Sequence, residues 1–379
     1  MRFAKLILKN ILRNKLRSLL TIASLIVSLF LIVTLGTVLT EFERGSEEAN
    51  PARLIARHSV SLTFPLPMAN LQRIQTVPGV KAVMPFTWFG GIYKDERNFF
   101  ANFAVEAKKL KEIYPELKMS DADWQAFNAD RQGAIVGQKL VTLYGFTPGQ
   151  RITLNSPIYN QNVEFIIRGV YTGMDEKTLF FHHEYLNELA PDWARDQAGM
   201  FSMIASNPDD VPRIGQAVDS MFTNTDAPTK TESEREFARS FEAMTGGIKQ
   251  FLYAIMAAIT FSLLLVMGNT MAMTVRERTK EVGTLKAIGF KRHTIAGLFV
   301  GESILLAVFG AAIGIGAAVL IFRSFDLSLY LPNLVAFVPA SQTLIVAFLL
   351  AIVVAIVSVA YSTYRVTGLT IAEALRSTE

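Results

Sequence analysis

Four long apolar stretches interrupt an otherwise mixed chain, and their placement sets the architecture. No charged residue occurs from Ser18 to Thr40, nor from Gln250 to Val275. A third stretch, Thr294 to Phe322, holds a single charge, Glu302. The fourth lies within the uncharged run from Leu327 to Tyr364. It is predicted to start near Gln342, because Pro332, Pro339 and the polar residues between them read as a loop. Roughly 20 apolar residues carry a helix across the hydrocarbon core of a bilayer, so each stretch is long enough. The first exceeds the ~7–15-residue apolar core of a cleaved signal sequence, and no small-residue cleavage site precedes Glu41. The pattern predicts an integral membrane α-helical protein. Its spans are 18–40, 250–275, 294–322 and 342–364, joined by segments 41–249, 276–293 and 323–341 and flanked by 1–17 and 365–379.

Composition agrees with this partition. The 379 residues are 51% hydrophobic yet 18% charged, with a mean hydropathy of +0.31, so charges must be segregated from the spans. The net charge of +4 is not a nucleic-acid signature, because the bases crowd the ends of the apolar runs. Arg2, Lys5, Lys9, Arg13, Lys15 and Arg17 precede the first span; Arg276, Arg278, Lys280, Lys286, Lys291 and Arg292 lie between the second and third; Arg365 follows the fourth. The positive-inside rule then places both termini and the 276–293 loop in the cytoplasm, with 41–249 and 323–341 outside. Within 1–17, Phe3, Ile7 and Ile11 share one helical face opposite Arg2, Lys9 and Arg13. That segment is either an amphipathic helix in the lipid interface or a plain basic terminus.

The 41–249 segment reads as a soluble α+β domain inserted between the first two spans. Asn70 to Val77 predicts a helix ended by Pro78 and Gly79, followed by a strand from Val80 to Met84. Gly133–Gly137 is a short apolar strand, Lys139 to Tyr144 a helical turn closed by Gly145, and Pro148 with Gly149 a turn into the strand Arg151–Leu154. Alternation from Val163 to Val170 completes a hairpin-like pair. Asp121 to Asp130, acidic and polar around Trp124 and Phe127, reads as an inserted loop. Thr223 to Glu236 reads as a polar connector before a helix from Phe237 to Met244, a stalk jointed to the second span at Gly246 and Gly247.

Little in the chain points to chemistry of its own. It has no cysteine, no G-x-x-x-x-G-K-[ST] phosphate loop, no G-x-S-x-G elbow and no H-E-x-x-H. His182, His183 and Glu184 form the one cluster resembling metal ligands, but adjacent side chains diverge and a polar helix start explains them better. Catalytic, cofactor and metal residues are therefore expected to be absent. Glu302 admits two readings: a proton or substrate site, or a group bonded to a neighbouring helix or loop near the cytoplasmic end. Gly310 and Gly314 give the third span a small-residue face suited to close helix packing.

The loop from Thr274 to Phe290 is the most distinctive segment. Val275, Val282 and Leu285 share a face, and Gly283 is expected to divide the extended second span from a short helix, Thr284 to Ile288, capped by Gly289. A basic juxtamembrane loop can simply hold lipid headgroups, but Glu277 and Glu281 weaken that explanation. This segment resembles the R-E-R-x-x-E-I-G-x-L-[RK]-A-[IL]-G signature of the MacB/FtsX-like permeases, membrane subunits of ABC transporters. Val77 to Val83, Gly145 to Thr153 and Phe165 to Val170 are similar to that family's periplasmic domain. Thr370 to Arg376 is similar to its C-terminal P-x-E-A-L-R, without the proline.

The resemblance implies a bacterial inner-membrane permease working as a dimer, with a second copy or a related permease. It implies two cytoplasmic ABC ATPase subunits that bind ATP and Mg2+, and a MacB-like periplasmic domain moved from below. The residues it assigns to ATPase coupling are Glu277, Arg278, Thr279, Glu281, Gly283, Leu285, Lys286, Ala287, Ile288 and Gly289. A periplasmic adaptor and an outer-membrane channel are further partners in such systems, besides membrane lipid. Export or lipoprotein handling is the implied function; the alternative is an FtsX-like regulator of a periplasmic cell-wall hydrolase, without transport.

Overall fold

The computed structural model describes residues 14–47, 49–95, 98–244, 246–324 and 338–376. The basic segment 1–13, where the amphipathic face was expected, and most of the 323–341 loop lie outside the described residues. The chain forms two units: one from Met1–Phe42, Thr245–Leu327 and Ala336–Glu379, the other from Glu43–Met244 and Ser328–Val335. Helix α1 (Lys15–Glu47) comes first among the described helices and has 33 residues, about 50 Å of helix at 1.5 Å per residue.

The second unit follows in chain order: β1 (Arg53–His58), β2 (Leu66–Pro67), α2 (Ala69–Gln75), β3 (Val80–Trp88), β4 (Ile92–Tyr93), β5 (Ala101–Val105), α3 (Ala107–Ile113) and α4 (Asp121–Ala129). Then come β6 (Gly133–Gly137), α5 (Gln138–Tyr144), β7 (Arg151–Ser156), β8 (Gln161–Tyr171), β9 (Thr178–His182), α6 (His183–Leu189), β10 (Gln197–Ala198), β11 (Met200–Ala205), α7 (Val211–Phe222), β12 (Thr229–Ser233) and α8 (Glu234–Met244). Ten strands make one mixed sheet in the order β12-β1-β11-β3-β5-β9-β6-β8-β7-β4. Among the described strands, only β5–β9 and β6–β8 run parallel.

Alternation fixes the β7–β8 hairpin: Ile152 and Leu154 face the core while Arg151, Thr153 and Asn155 face out, opposite Phe165, Val163 and their neighbours. Pro85 sits within β3 where the pairing with β5 stops at Phe86, so its missing N–H interrupts no ladder there. Helices α3 and α4 cover one stretch of sheet, with Leu110, Ile113, Trp124 and Phe127 packed on Ile135 and Phe180. Ile214, Val218 and Phe222 of α7 pack on Leu54, Val83 and Phe201.

Two sequence readings of this domain are corrected. Asp121 to Asp130 is helix α4, not a loop. Ser120 caps it by accepting the Asp123 N–H at 3.1 Å, the acids of its first turn suit the positive helix end, and Trp124 and Phe127 are buried. Thr223 to Glu236 is not wholly a connector, because it contains β12, which pairs antiparallel with β1 along the sheet edge. Asp219 holds the edge in place, accepting from Thr229 Oγ1 at 2.9 Å and Thr231 N at 3.0 Å. The helix after it begins at Glu234, three residues earlier than Phe237. There Ser233 and Glu236 form a capping box, with Ser233 N to Glu236 Oε2 at 3.0 Å and Glu236 N to Ser233 Oγ at 3.2 Å.

The first unit continues with α9 (Gly246–Glu277), α10 (Thr279–Ala287), α11 (Arg292–Ser324), α12 (Ser341–Gly368) and α13 (Ile371–Arg376). Among the described residues, α1, α9, α11 and α12 are long and apolar enough to cross a membrane. Close approach at glycine sets their packing. A Cβ on Gly310 would fall 2.5 Å from Leu25 Cβ, and one on Gly314 2.7 Å from the Ile26 carbonyl, so α11 lies directly against α1. Hydroxyls supply the polar ties: Ser303 Oγ donates to the Ala355 carbonyl at 2.7 Å, Thr21 Oγ1 to Thr270 Oγ1 at 3.2 Å, and Thr40 and Thr343 Oγ1 lie 3.2 Å apart.

Candidate functional site

The segment joining α9 to α11 gathers the residues singled out by the sequence, in an arrangement that differs from expectation. The helix break falls at Arg278, not at Gly283, which is buried inside α10. Arg278 leaves helical geometry at φ −104° and ψ 14°, and the Thr279 hydroxyl donates to the Arg276 carbonyl at 2.8 Å, satisfying a group the broken helix leaves open. Glycine was expected to break the helix because of its backbone freedom. Side-chain partners place the break instead.

Glu277 and Arg278, adjacent in sequence, are bonded to different helices. Glu277 Oε1 accepts from Arg17 Nη2 of α1 at 2.5 Å, and Arg17 Nη1 also reaches Thr274 Oγ1 at 3.1 Å. Arg278 Nη1 meets Glu302 Oε2 of α11 at 2.9 Å, its Nε meets Glu281 at 2.8 Å, and its guanidinium lies 5.2 Å from the Phe299 ring centroid. Glu302 is thus a buried partner of the loop. At the far end of α10, Lys286 Nζ donates to the Thr367 carbonyl at 2.6 Å and the Leu369 carbonyl at 2.5 Å. These sit where α12 ends and its last carbonyls lack helical partners. Desolvation, then the Arg292 charge, lowers the Lys286 ammonium from its ordinary value, with Glu373 opposing.

Helix α10 closes with both bonds of a Schellman motif, Gly289 N to Lys286 O at 3.0 Å and Phe290 N to Leu285 O at 3.0 Å, around Gly289 at φ +97°. The ten loop residues therefore divide three ways. Thr279 and Gly283 are buried and Leu285 half-buried; Glu277, Arg278, Glu281 and Lys286 make ion pairs or hydrogen bonds; Ala287, Ile288 and Gly289 face outward. Ile288 is 70% exposed and Phe290 36%, an apolar tip on a helix tied down at both ends.

Sequence reasoning missed part of this site. Arg17 counted only as an orientation charge. Helix α13, packed beside α10, is announced by a capping box in which Thr370 N donates to Glu373 Oε2 at 2.7 Å and Glu373 N to Thr370 Oγ1 at 3.3 Å. The Thr-x-x-Glu spacing was the available signal. In the other unit, His182 and His183 serve separate carbonyls, Phe127 O at 2.7 Å and Gln197 O at 3.1 Å. Among the described residues no group of three or more potential ligands could hold a metal ion.

A polytopic membrane subunit with one large domain after its first span is the class that these features define. Two family models match in tandem: "MacB-like periplasmic core domain" over residues 18–221 and "FtsX-like permease C-terminal" over residues 253–371. The chain belongs to the MacB/FtsX-like family of ABC transporter permeases. It is 22% identical over 339 residues to an ABC transporter permease of Methanocaldococcus jannaschii, covering 83% of this chain and 82% of that one. It is 40% identical over 84 residues to the pyoverdine export ATP-binding/permease protein PvdT of Pseudomonas fluorescens, and 35% over 102 residues to the macrolide export ATP-binding/permease protein MacB of Haemophilus ducreyi. Those matches span 21% and 26% of this chain and only 12% and 14% of the two exporters. Among solved structures, the extracellular domain of the ABC-type transporter YknZ from Gram-positive bacteria is matched over 48% of this chain and 100% of that one, at 11% identity and a TM-score of 0.37. The periplasmic region of MacB from Actinobacillus actinomycetemcomitans is matched over 50% and 92%, at 10% identity and a TM-score of 0.38.

Proposed function

We propose that this chain couples ATP hydrolysis on a separate, cytoplasmic subunit to movement of its α+β domain outside the membrane, and that α10 is the docking element. The observation that carries the reading is the exposed apolar tip Ala287–Phe290 on a helix anchored by Arg278 at one end and Lys286 at the other. A part that receives force must be rigid where it is held and apolar where it docks, and this one is both. The basic residues flanking the spans support an orientation with the termini and the 276–293 loop in the cytoplasm and 41–249 outside, and the membrane proposed is the inner membrane of a bacterial cell. Two copies of the chain with two ATPase subunits form the working unit, the ATPases holding the nucleotide and Mg2+. The similarity to pyoverdine and macrolide exporters supports an exported cargo, handled outside the membrane.

The test is co-expression with the ABC ATPase encoded nearest to this chain, followed by native mass spectrometry and an ATPase assay. A complex of two copies of each, hydrolysing ATP where the purified chain alone does not, is the expected result. A stable complex of other stoichiometry, or hydrolysis by the chain alone, contradicts the proposal.

A further inference from the structure

Among the described residues, the most deeply buried charge in the domain is a guanidinium on which three separated stretches of chain converge. Arg53, the first residue of β1, is 1% exposed. Its Nη1 donates to Glu234 Oε1 at 3.1 Å, its Nη2 pairs with Glu116, and its Cζ lies 3.9 Å from the Tyr114 ring centroid. Tyr114 is fixed in turn, its hydroxyl 3.1 Å from Ser202 Oγ on β11. Glu234 has a second bond to the entering chain, because its Oε2 accepts the Asn50 N–H at 2.8 Å. The Glu116 segment is wedged as well: a Cβ on Gly173 would fall 2.4 Å from the Glu116 carbonyl.

The chain order of these residues gives the cluster its meaning. Arg53 comes six residues after α1 ends at Glu47, and Glu234 is the first residue of α8, which ends two residues before α9 begins. Entry from the first span and exit to the second are thus bonded to each other through one side chain. That side chain also reaches the loop between α3 and α4, and with it the part of the sheet those helices cover.

We propose that Arg53 is the positioning residue that fastens the domain's entry and exit, so that displacement of the first two spans reaches the sheet as a single displacement. This rests on the coupling function proposed above. Stability alone is a poor reason for a fully buried cation, because desolvation offsets most of its attraction and an apolar residue of similar volume often does as well. The planar fork does what an apolar residue cannot: it holds two carboxylates from distant segments in one fixed geometry. Lysine would keep the charge without the fork.

The chain has no cysteine, so a single introduced thiol per copy is a unique spin-label site. Two reporters are used in separate samples of the reconstituted permease–ATPase complex. Arg239→Cys on α8 reads the input, and Thr142→Cys on α5 reads the far part of the sheet. Both positions are exposed. The distance between labels on the two copies is measured with and without Mg–ATP. In the otherwise unchanged protein both distances shift. In Arg53→Lys and Arg53→Met the input shift persists while the output shift falls to less than half. An output shift of full size in both variants overturns the assignment, as does loss of the input shift, which would place Arg53 in folding or docking. If neither reporter shifts in the unchanged protein, the proposed coupling itself fails.

Discussion

Removing Glu302 tests whether that carboxylate is a structural partner of the loop or a proton or substrate site. The Arg278–Glu302 pair is 2.9 Å long, with side chains 12% and 7% exposed, so solvent screens it little. Deleting one partner of such a pair costs about 3–5 kcal/mol, mostly from stranding the other charge. Arg278 keeps Glu281, whose side chain is 41% exposed, and its contact with Phe299. Glu302→Met should therefore cost about 3 kcal/mol, the low end of that range. In Arg278→Met/Glu302→Met no charge is stranded at the pair, and Glu281 is exposed enough to be hydrated. Most of the loss should return, with a coupling energy of roughly 2–3 kcal/mol. The assay is denaturation by sodium dodecyl sulfate followed by the helical circular-dichroism band, alongside ATP hydrolysis by the complex. All three tryptophans, Trp88, Trp124 and Trp193, lie in the α+β domain, so their fluorescence shows separately that it stays folded. A double variant as unstable as Glu302→Met refutes the structural reading. So does an unchanged stability with activity lost equally in the single and double variants, the pattern of a proton or substrate site.

Glycine packing gives a second contrast two residues apart on α11. Gly314→Ala brings a Cβ within 2.7 Å of the Ile26 carbonyl, so α1 must retreat by about 0.7 Å. The expected cost is about 1–3 kcal/mol, whereas Gly316→Ala, with no atom within 4 Å, should be neutral or stabilising; equal melting of the two in detergent contradicts the packing. Acid should loosen the α+β domain in two stages. Burial lowers the imidazoles of His182 and His183, against their hydrogen bonds to Phe127 and Gln197. The unfolded chain therefore binds more protons below about pH 6.5, and stability falls as pH drops from 7 to 5. Burial raises Glu232, but hydrogen bonds from Lys230 and Arg57 outweigh it and hold the carboxyl below its usual 4.5, so its contribution is present above that pH and is lost on further acidification. Melting followed by tryptophan fluorescence at several pH values checks both, and His182→Gln with His183→Gln should flatten the first slope.

What could be read from the sequence was whatever repeats along the chain. The spans announce themselves by length, and Ile152 and Leu154 announce β7 by alternation, with Gly145 at φ +68° and Gly149 at φ +87° marking the turns. Helix α4 was harder because its other residues are polar or alanine and only Trp124 and Phe127 mark its inner face. Edge strand β12 was harder still, since a strand paired on one side can be polar throughout, as Thr229 to Ser233 is. The break at Arg278 was beyond local pattern altogether. Gly283 offered the flexible backbone, yet the position depends on Glu302, 24 residues away in sequence, and on Arg17, which fixes the neighbouring Glu277 from α1.

The coupling claim turns on Ala287, an exposed residue at the tip of α10. Gly283, being buried, is unsuited to the purpose. Ala287→Glu places an unpaired charge in the proposed contact, which costs several kcal/mol when desolvated. That abolishes a micromolar association, since each ~1.4 kcal/mol is a factor of ten. The comparison is Arg276→Gln with Lys280→Gln, which removes exposed bases and leaves the tip intact. Co-purification of the ATPase at matched expression is the measurement. The account predicts that Ala287→Glu loses the ATPase and the base-neutralised variant retains it; retention by Ala287→Glu at the unchanged level, with loss in the base-neutralised variant, contradicts it.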